Sequence, residues 1–347
     1  MSGSTPVAQG SRIAAIDVLR GFALLGILGA NITLFDVDGI GAVEQSLDDL
    51  VVGAAGAPFM AFLLVFVLNK MMAVFSMLFG AGVLLVTERI EARGGSALRV
   101  HYVRNLLLLL FGLAHSALWF GDILLVYGTC AMVLYPLRRL PARALLGGGA
   151  AVWLLAFVVE SGAEEEYVVR ALAMMLVGMG LYRSRIIDAG RDAGWYRRAL
   201  SWSFAVGLPV CSAAWLFADG SDGPGGDELA ADFNNLGVPF VAFGYVCLVM
   251  WVCAEGHLPR VRARLAAAGQ LALTNYLMQT VLGMAVIEAL NEVRGERVTA
   301  FWMMLAMFGI WAVQVWWSAP WLRRFRFGPA EWAWRSATYG RSQPFRA

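Results

Sequence analysis

Charge is what this chain lacks. Only 15% of its 347 residues are Asp, Glu, Lys or Arg, against about 25% in soluble domains. An ordinary soluble fold is thereby excluded, and the mean hydropathy of +0.65 agrees. Histidine is scarce as well, with three in the whole chain. No His/Cys spacing suits a metal, so no metal is expected. The four cysteines, Cys130, Cys211, Cys247 and Cys253, each lie inside an apolar run. They read as packing thiols without a disulfide. There is no phosphate-binding loop and no dinucleotide fingerprint, and nothing supports nucleic-acid binding. Residues 1–11 are small and polar, lack a cleavable signal pattern, and read as a short disordered tail.

Long apolar runs are what the chain has instead. They fall at roughly 16–35, 51–68, 70–87, 104–119, 121–137, 144–161, 167–182, 200–218, 233–254, 266–290 and 298–319. Thirteen Trp fit interfacial belts. The basic residues then set the topology. Arg89, Arg93, Arg99 and Arg104 mark one connection as cytoplasmic, as do Arg138, Arg139 and Arg143, the group from Arg183 to Arg198, and Arg260, Arg262 and Arg264. Intervening connections are acidic, for example Glu164, Glu165 and Glu166, or Glu288, Glu292 and Glu296. Loop 36–49 holds five acids and no base, so it belongs outside, while loop 88–104 belongs inside. One of the two runs between them cannot cross. Gly53, Gly56 and Pro58 interrupt 51–68, which is then re-entrant, peripheral, or part of one long tilted helix. The expectation is an all-α bundle of about ten membrane helices over 12–322. It sits in the inner (plasma) membrane with both termini cytoplasmic and a basic, Trp-containing C-terminal segment at 323–347.

Polar residues inside the runs are the candidates for chemistry. Asp17 and Arg20 are i and i+3 in the first run, so they share a face and can pair. Asn31 returns to that face about three turns later. Charge in a membrane helix costs on the order of 3 kcal/mol per group, which points to a buried pair and a polar track; a snorkelling Arg20 is the rival reading. His115 lies shortly before Asp122, on the outer side by the charge rule. Asp122 reads as the N-cap of the next helix. A His beside a carboxylate can act as a general base, or can simply bridge helices. His101 and His257 fall in basic connections and read as solvated. Asn275 and Gln279 are i and i+4 on one face, either gluing helices or sharing a ligand pocket. Glu331 and Arg335 are i and i+4 on a helix opened by Pro329, beside Arg323, Arg324 and Arg326. That surface suits anionic lipid or a phosphate-rich cofactor.

Several of these motifs together resemble a known family. Asp17-Val18-Leu19-Arg20-Gly21-Phe22-Ala23-Leu24-Leu25-Gly26-Ile27 and Phe75-Ser76-Met77-Leu78-Phe79-Gly80-Ala81-Gly82 are similar to stretches of the YeiB-like family, catalogued as a domain of unknown function. So are His115 with Gly121-Asp122-Ile123-Leu124, Leu273-Thr274-Asn275-Tyr276-Leu277-Met278-Gln279, and Gly328-Pro329-Ala330-Glu331-Trp332-Ala333-Trp334-Arg335. The likeness runs from about residue 12 to 340. That family in turn resembles transmembrane acyltransferases, namely the heparan-glucosaminide N-acetyltransferase and acyltransferase-3 groups. They move an acyl group from cytoplasmic acyl-CoA to an acceptor across the membrane. The resemblance implies Arg20 as the conserved-type basic residue of the first helix and Asn31 at the eleventh position after it, where acyltransferase-3 proteins have His. No His occurs in 32–100, which leaves His115 as the substitute base.

The expectation is therefore an acyltransferase with acyl-CoA as co-substrate and a small-molecule, lipid or glycan acceptor. His115, Asp122 and Asn31 would be catalytic. Arg20, Asp17, Asn275, Gln279 and Arg335 would hold the co-substrate. Membrane lipids are expected partners, and a homo-oligomer is left open. The alternatives are a small-molecule transporter and a non-catalytic lipid-binding protein.

Overall fold

In a bilayer, backbone N–H and C=O groups must find partners within the protein, so apolar runs fold as helices. The computed structural model describes residues 9–37, 55–158, 163–220 and 224–346. Most of the 1–11 tail and of the loop before residue 55 lies outside those residues. The described chain is helical: α1 (Gln9–Asn31), α2 (Gly56–Phe62), α3 (Lys70–Glu91), α4 (Ala97–Ser116), α5 (Leu124–Leu137), α6 (Ala142–Leu155) and α7 (Ala163–Arg183) come first. They are followed by α8 (Ala193–Gly220), α9 (Pro224–Ala254), α10 (Pro259–Gln270), α11 (Ala272–Arg294), α12 (Ala300–Leu322) and α13 (Pro329–Tyr339). Among the described residues six segments are long and apolar enough to span: Ala14–Leu34, Gly56–Glu91, Ala97–Ser116, Leu229–Ala254, Ala272–Arg294 and Ala300–Leu322. α5 and α6 are shorter apolar helices. This is the expected all-α, multi-pass membrane bundle. Exposed Leu106, Leu110 and Leu113 on α4, and Phe301, Leu305 and Phe308 on α12, form the apolar stripes that lipid would cover.

Lipid tails are as apolar as Leu, so helices associate by close packing rather than by escape from water. α1 meets α10 through a reciprocal pair of glycines. A Cβ on Gly21 would strike the carbonyl of Leu265, and one on Gly269 would strike that of Asp17. Gly80 on α3 and Gly178 on α7 interlock in the same way, against the carbonyls of Met175 and Met77. Two of the sequence motifs thus mark sites where two backbones touch.

The extra apolar run falls in the segment before α3, which is broken. α2 continues into a π-helical turn, Leu63–Val67, then breaks. Leu68 is extended (ψ 130°) and Asn69 is left-handed (φ 63°) before α3 starts at Lys70. From Gly56 to Val67 the chain rises about 18 Å, short of the ~30 Å needed to cross. It is one half of a discontinuous helix. The carbonyls freed at the break find donors: Tyr245 donates its hydroxyl to Phe66 (2.8 Å), and the Lys70 ammonium reaches the carbonyl of Leu64. A second break lies at Leu271, between α10 and α11, inside what reads in sequence as a single run at 266–290.

Candidate functional site

α4 ends at Ser116 and α5 begins at Leu124, so 117–123 is a turn between antiparallel neighbours. His115 is in the last turn of α4. Its Nδ1 lies 2.7 Å from Asp122 Oδ1, and its Nε2 lies 3.0 Å from Thr280 Oγ1 on α11. The side chains of His115 and Asp122 are 3% and 1% exposed, and Thr280 is fully buried. Asp122 Oδ2 accepts the N–H of Leu125 (3.0 Å), which is the expected capping role, although Ile123 holds the cap position itself. Tyr276 accepts the N–H of Ile123 (3.1 Å) and pins the turn to α11. An ionised carboxylate only accepts, so beside it the ring carries its proton on Nδ1. In the uncharged ring Nε2 is then the acceptor, placed to receive the Thr280 hydroxyl proton. Both carboxylate oxygens have donors, the condition under which a buried charge is tolerated.

Two cavities flank this group. One, of about 640 Å³, is lined by Asp36, Ser116, Trp119, Met284, Glu288 and Glu292 among others. The other, of about 580 Å³, is mostly apolar, with Asn31, Asn69, Asp122 and Tyr167 as polar lining. Asn31 and Asp122 thus meet at one cavity, as the sequence suggested. Asp36 is tied to α11 and the turn after it by Asn291 (2.7 Å) and Arg297 (3.0 Å).

A cationic layer lies on the other side of the bundle. Arg20 donates to Asp17 (2.8 Å). Their side chains are 31% and 13% exposed, so Arg20 is not the buried charge that its position suggests. α13 lies across this end of the bundle, against α4 and α11. Trp334 donates its indole N–H to the Arg104 carbonyl (2.8 Å), and the Arg104 guanidinium stacks 3.9 Å over the Trp334 ring. Arg335 is over Phe327 (4.7 Å) rather than in an i,i+4 pair with Glu331, which is buried and turns instead to α11. Arg20, Arg104 and Arg335 act electrostatically on one another. Eleven residues separate Arg20 from Asn31 and Arg104 from His115, so about 16 Å of helix separates the guanidinium layer from the histidine layer.

Asn275 and Gln279 lie between the layers and bond across helices, although Gln279 Oε1 is buried without a partner. Asn275 donates to Ala268 O (3.1 Å) and Ser318 Oγ (3.2 Å), and accepts from Trp317 (3.1 Å). Gln279 donates to Leu24 O (3.2 Å) and Gln314 Oε1 (2.8 Å), and Gln314 donates to Asn275 O (2.8 Å). Neither amide lines either of the two cavities. They hold α1, α11 and α12 together, the gluing alternative of the sequence reading.

Sequence reasoning missed three features. His101 is not solvated: it is buried in α4, bonded to the Ala131 carbonyl (2.9 Å) with Asn105 one turn on (3.3 Å). The apolar run drawn from 104 starts a full two turns after the helix does. Lys70 is fully buried at the helix break and bonds the Asn234 side-chain oxygen as well as Leu64 O. Asn69 donates to Asn235 (3.0 Å), and Asn235 reaches Glu166 (3.4 Å), itself paired with buried Arg170 (2.6 Å). The signal was there in Asn69-Lys70, two polar residues wedged between apolar runs. Thr280, one of three hydroxyl residues on α11, gave no signal of its own. His257 is exposed, as expected, and the four cysteines are free thiols, three of them buried.

Helix composition, discontinuous spans and polar groups inside the bundle define a polytopic helical membrane protein. The family described as "Protein of unknown function (DUF418)" matches residues 181–341. The chain is 28% identical to the uncharacterized protein YxaH of Bacillus subtilis (strain 168), over 99% of this chain and 98% of that one. It is 26% identical to the uncharacterized protein YeiB of Escherichia coli (strain K12), over 96% and 98%. An uncharacterized 39.9 kDa protein in the amylase 3' region of Bacillus acidopullulyticus is 29% identical over 98% and 97%. The chain is thus similar to the DUF418 family over its C-terminal half and to these YeiB-like relatives over nearly its whole length. No solved structure matches it significantly.

Proposed function

We propose that the protein is a membrane acyltransferase that takes an acyl group from cytoplasmic acyl-CoA and delivers it to a hydroxyl or amine of a sugar or lipid acceptor on the far side. The observation that carries this reading is the His115–Asp122 pair. Buried Asp122 holds the imidazole in the tautomer whose Nε2 accepts a proton from a hydroxyl, and Nε2 faces a hydroxyl. The cationic layer of Arg20, Arg104 and Arg335 suits the phosphates of the donor. The ~16 Å between layers is a distance that an extended pantetheine arm could span. Asn31, beside Asp122 on the mostly apolar cavity, would position the acceptor. The test is release of free coenzyme A from acetyl-CoA by the purified protein, with sugar and lipid alcohols as acceptors. No release with any acceptor, together with no binding of acetyl-CoA at millimolar concentration, overturns the reading.

One observation favours a transporter instead. A discontinuous helix with a buried ammonium at its break is the kind of element that builds substrate sites in carriers. Solute flux into proteoliposomes that is lost in Lys70→Met, without coenzyme A release, would favour that alternative.

A further inference from the structure

We propose that Thr280 is a nucleophile: it takes the acyl group onto its own hydroxyl before the acceptor receives it, with His115 as its base and Asp122 orienting His115. This inference rests on the acyltransferase reading and deepens it.

Hydroxyl, imidazole and carboxylate stand in line. Thr280 Oγ1 is 3.0 Å from His115 Nε2, and His115 Nδ1 is 2.7 Å from Asp122 Oδ1. Both distances are within the reach that defines an activated nucleophile with an oriented base. The arrangement spans three separate elements, α4, the following turn and α11, so helix periodicity alone does not produce it. Thr280, like Thr274 at the start of the same helix, does not return its hydroxyl to its own backbone. A helical threonine ordinarily returns its hydroxyl to a carbonyl three or four residues back. Thr87, Thr129 and Thr338 do so, at 2.8, 2.9 and 2.7 Å. Thr280 turns its hydroxyl across to His115.

Thr280 and His115 line neither cavity themselves, but each is next to a residue that does. Asp122 is a wall of the mostly apolar cavity, and Met284, one turn beyond Thr280 on α11, is a wall of the acidic one. Trp119 lies edge-on to His115 (6.1 Å) and packs on Phe35 (5.1 Å), so aromatic rings border the group on this side.

The chemistry balances in two halves. The Thr280 O–H proton goes to His115 Nε2 as Oγ1 attacks the thioester carbonyl. The C–S bond breaks, and the coenzyme A sulfur leaves with the proton from His115. Thr280 now carries an ester. The acceptor hydroxyl then gives its proton to Nε2 and attacks the ester carbonyl. The Thr280 C–O ester bond breaks, and Oγ1 regains the proton.

The experiment incubates purified protein, without acceptor, with acetyl-CoA and separately with p-nitrophenyl acetate. Thiol and nitrophenol release are followed, and the α11 peptide is read by mass spectrometry. The expected result is a stoichiometric burst and an acetyl mass on Thr280, retained in Thr280→Ser and lost in Thr280→Val. Thr280→Val differs from the native residue only by methyl for hydroxyl. Its fold is checked by melting temperature and monodisperse elution, and if it fails to fold, Thr280→Ser must carry the acetyl group on residue 280. If wild type releases coenzyme A only when an acceptor is present, with no mass on Thr280 and with Thr280→Val turning over normally, transfer is direct. The nucleophile is then overturned while the acyltransferase reading stands. If p-nitrophenyl acetate acetylates Thr280 but acetyl-CoA neither binds nor reacts, the nucleophile stands and the donor is overturned. Acetylation from neither compound overturns Thr280 as a nucleophile.

Discussion

Glu331 caps a helix it does not belong to, the one that contains Thr274. Its Oε1 accepts the N–H of Leu273 (2.7 Å) and of Thr274 (3.0 Å), and its Oε2 accepts the Thr274 hydroxyl (2.6 Å). The start of α11 has no cap of its own, because Leu271 cannot supply one. A carboxylate at a helix N-terminus gains from the unpaired donors and the helix dipole together. The last helix of the chain is thereby locked to the helix carrying Asn275, Gln279 and Thr280. Glu331→Ala should cost on the order of 2 kcal/mol, a cap loss plus unpaired buried donors. Melting of the detergent-solubilised protein checks this; an unchanged melting temperature would mean that Gly328 and Trp334 hold α13 without the cap.

Arg20 should behave differently. Its pair with Asp17 is part-exposed, and such pairs contribute about 1 kcal/mol or less. Arg20→Ala is therefore expected to fold in near-normal yield yet weaken acetyl-CoA binding several-fold, with Arg335→Ala acting in the same direction. Isothermal titration reads the binding. A collapse in folded yield for Arg20→Ala, rescued by Arg20→Lys, would instead make the pair a structural one.

At Lys70 the cost should be large. Its ammonium serves the Leu64 carbonyl and the Asn234 side chain with no solvent at hand. Lys70→Met removes the donor from both acceptors, a loss on the order of 3 kcal/mol. Adding Asn234→Leu should restore part of it, since one orphaned acceptor disappears. A double-mutant cycle on melting temperature measures the coupling, and strict additivity would argue that Lys70 acts alone.

The helices were legible because an apolar run of spanning length has few other fates, and the His115–Asp122 contact followed from two polar residues near one helix end. What stayed hidden arises from tertiary contact. The break at Asn69 left its polar mark in the sequence, but the break at Leu271 did not, because Gly269 is there for close approach to α1 rather than to stop a helix. Arg20 sat in an apolar run yet near an end covered by α13, a neighbour 300 residues away that periodicity cannot place. Asn275 and Gln279 looked like pocket residues from their shared face. The same face is also where α1 and α12 pack, and only the structure distinguishes the two.

Sidedness follows from charge alone. Basic connections cluster at one end, where Arg138 pairs with Glu91 (3.3 Å) and Tyr182 donates to Glu88 (3.1 Å). The positive-inside rule predicts that this end faces the cytoplasm. Gln45→Cys and Gly225→Cys should label with an impermeant maleimide in intact cells, and Arg93→Cys only after lysis. Labelling of Arg93→Cys from outside would invert the orientation and with it the assignment of donor and acceptor sides.

The catalytic prediction separates His115 as a base from His115 as a brace. Bracing is real in either case, since the ring bridges the turn after α4 to α11. His115→Gln can keep a hydrogen bond to one of the two partners while losing the ability to take up a proton at neutral pH. If the imidazole is the base, His115→Gln should retain most of the melting temperature and lose acyl transfer by roughly 10²–10⁴-fold. Asp122→Asn should lose less, because Nδ1 still finds an acceptor but the charge that would stabilise an imidazolium is gone. Asp122→Asn also needs the amide oxygen to face the ring, which leaves its NH₂ opposed to the Leu125 N–H, so a modest drop in stability is expected beside the kinetic one. Coenzyme A release under saturating acetyl-CoA gives the rates, and melting in the same detergent gives the stability. A His115→Gln protein that is as fast as wild type ends the case for His115 as the base, whatever its melting temperature.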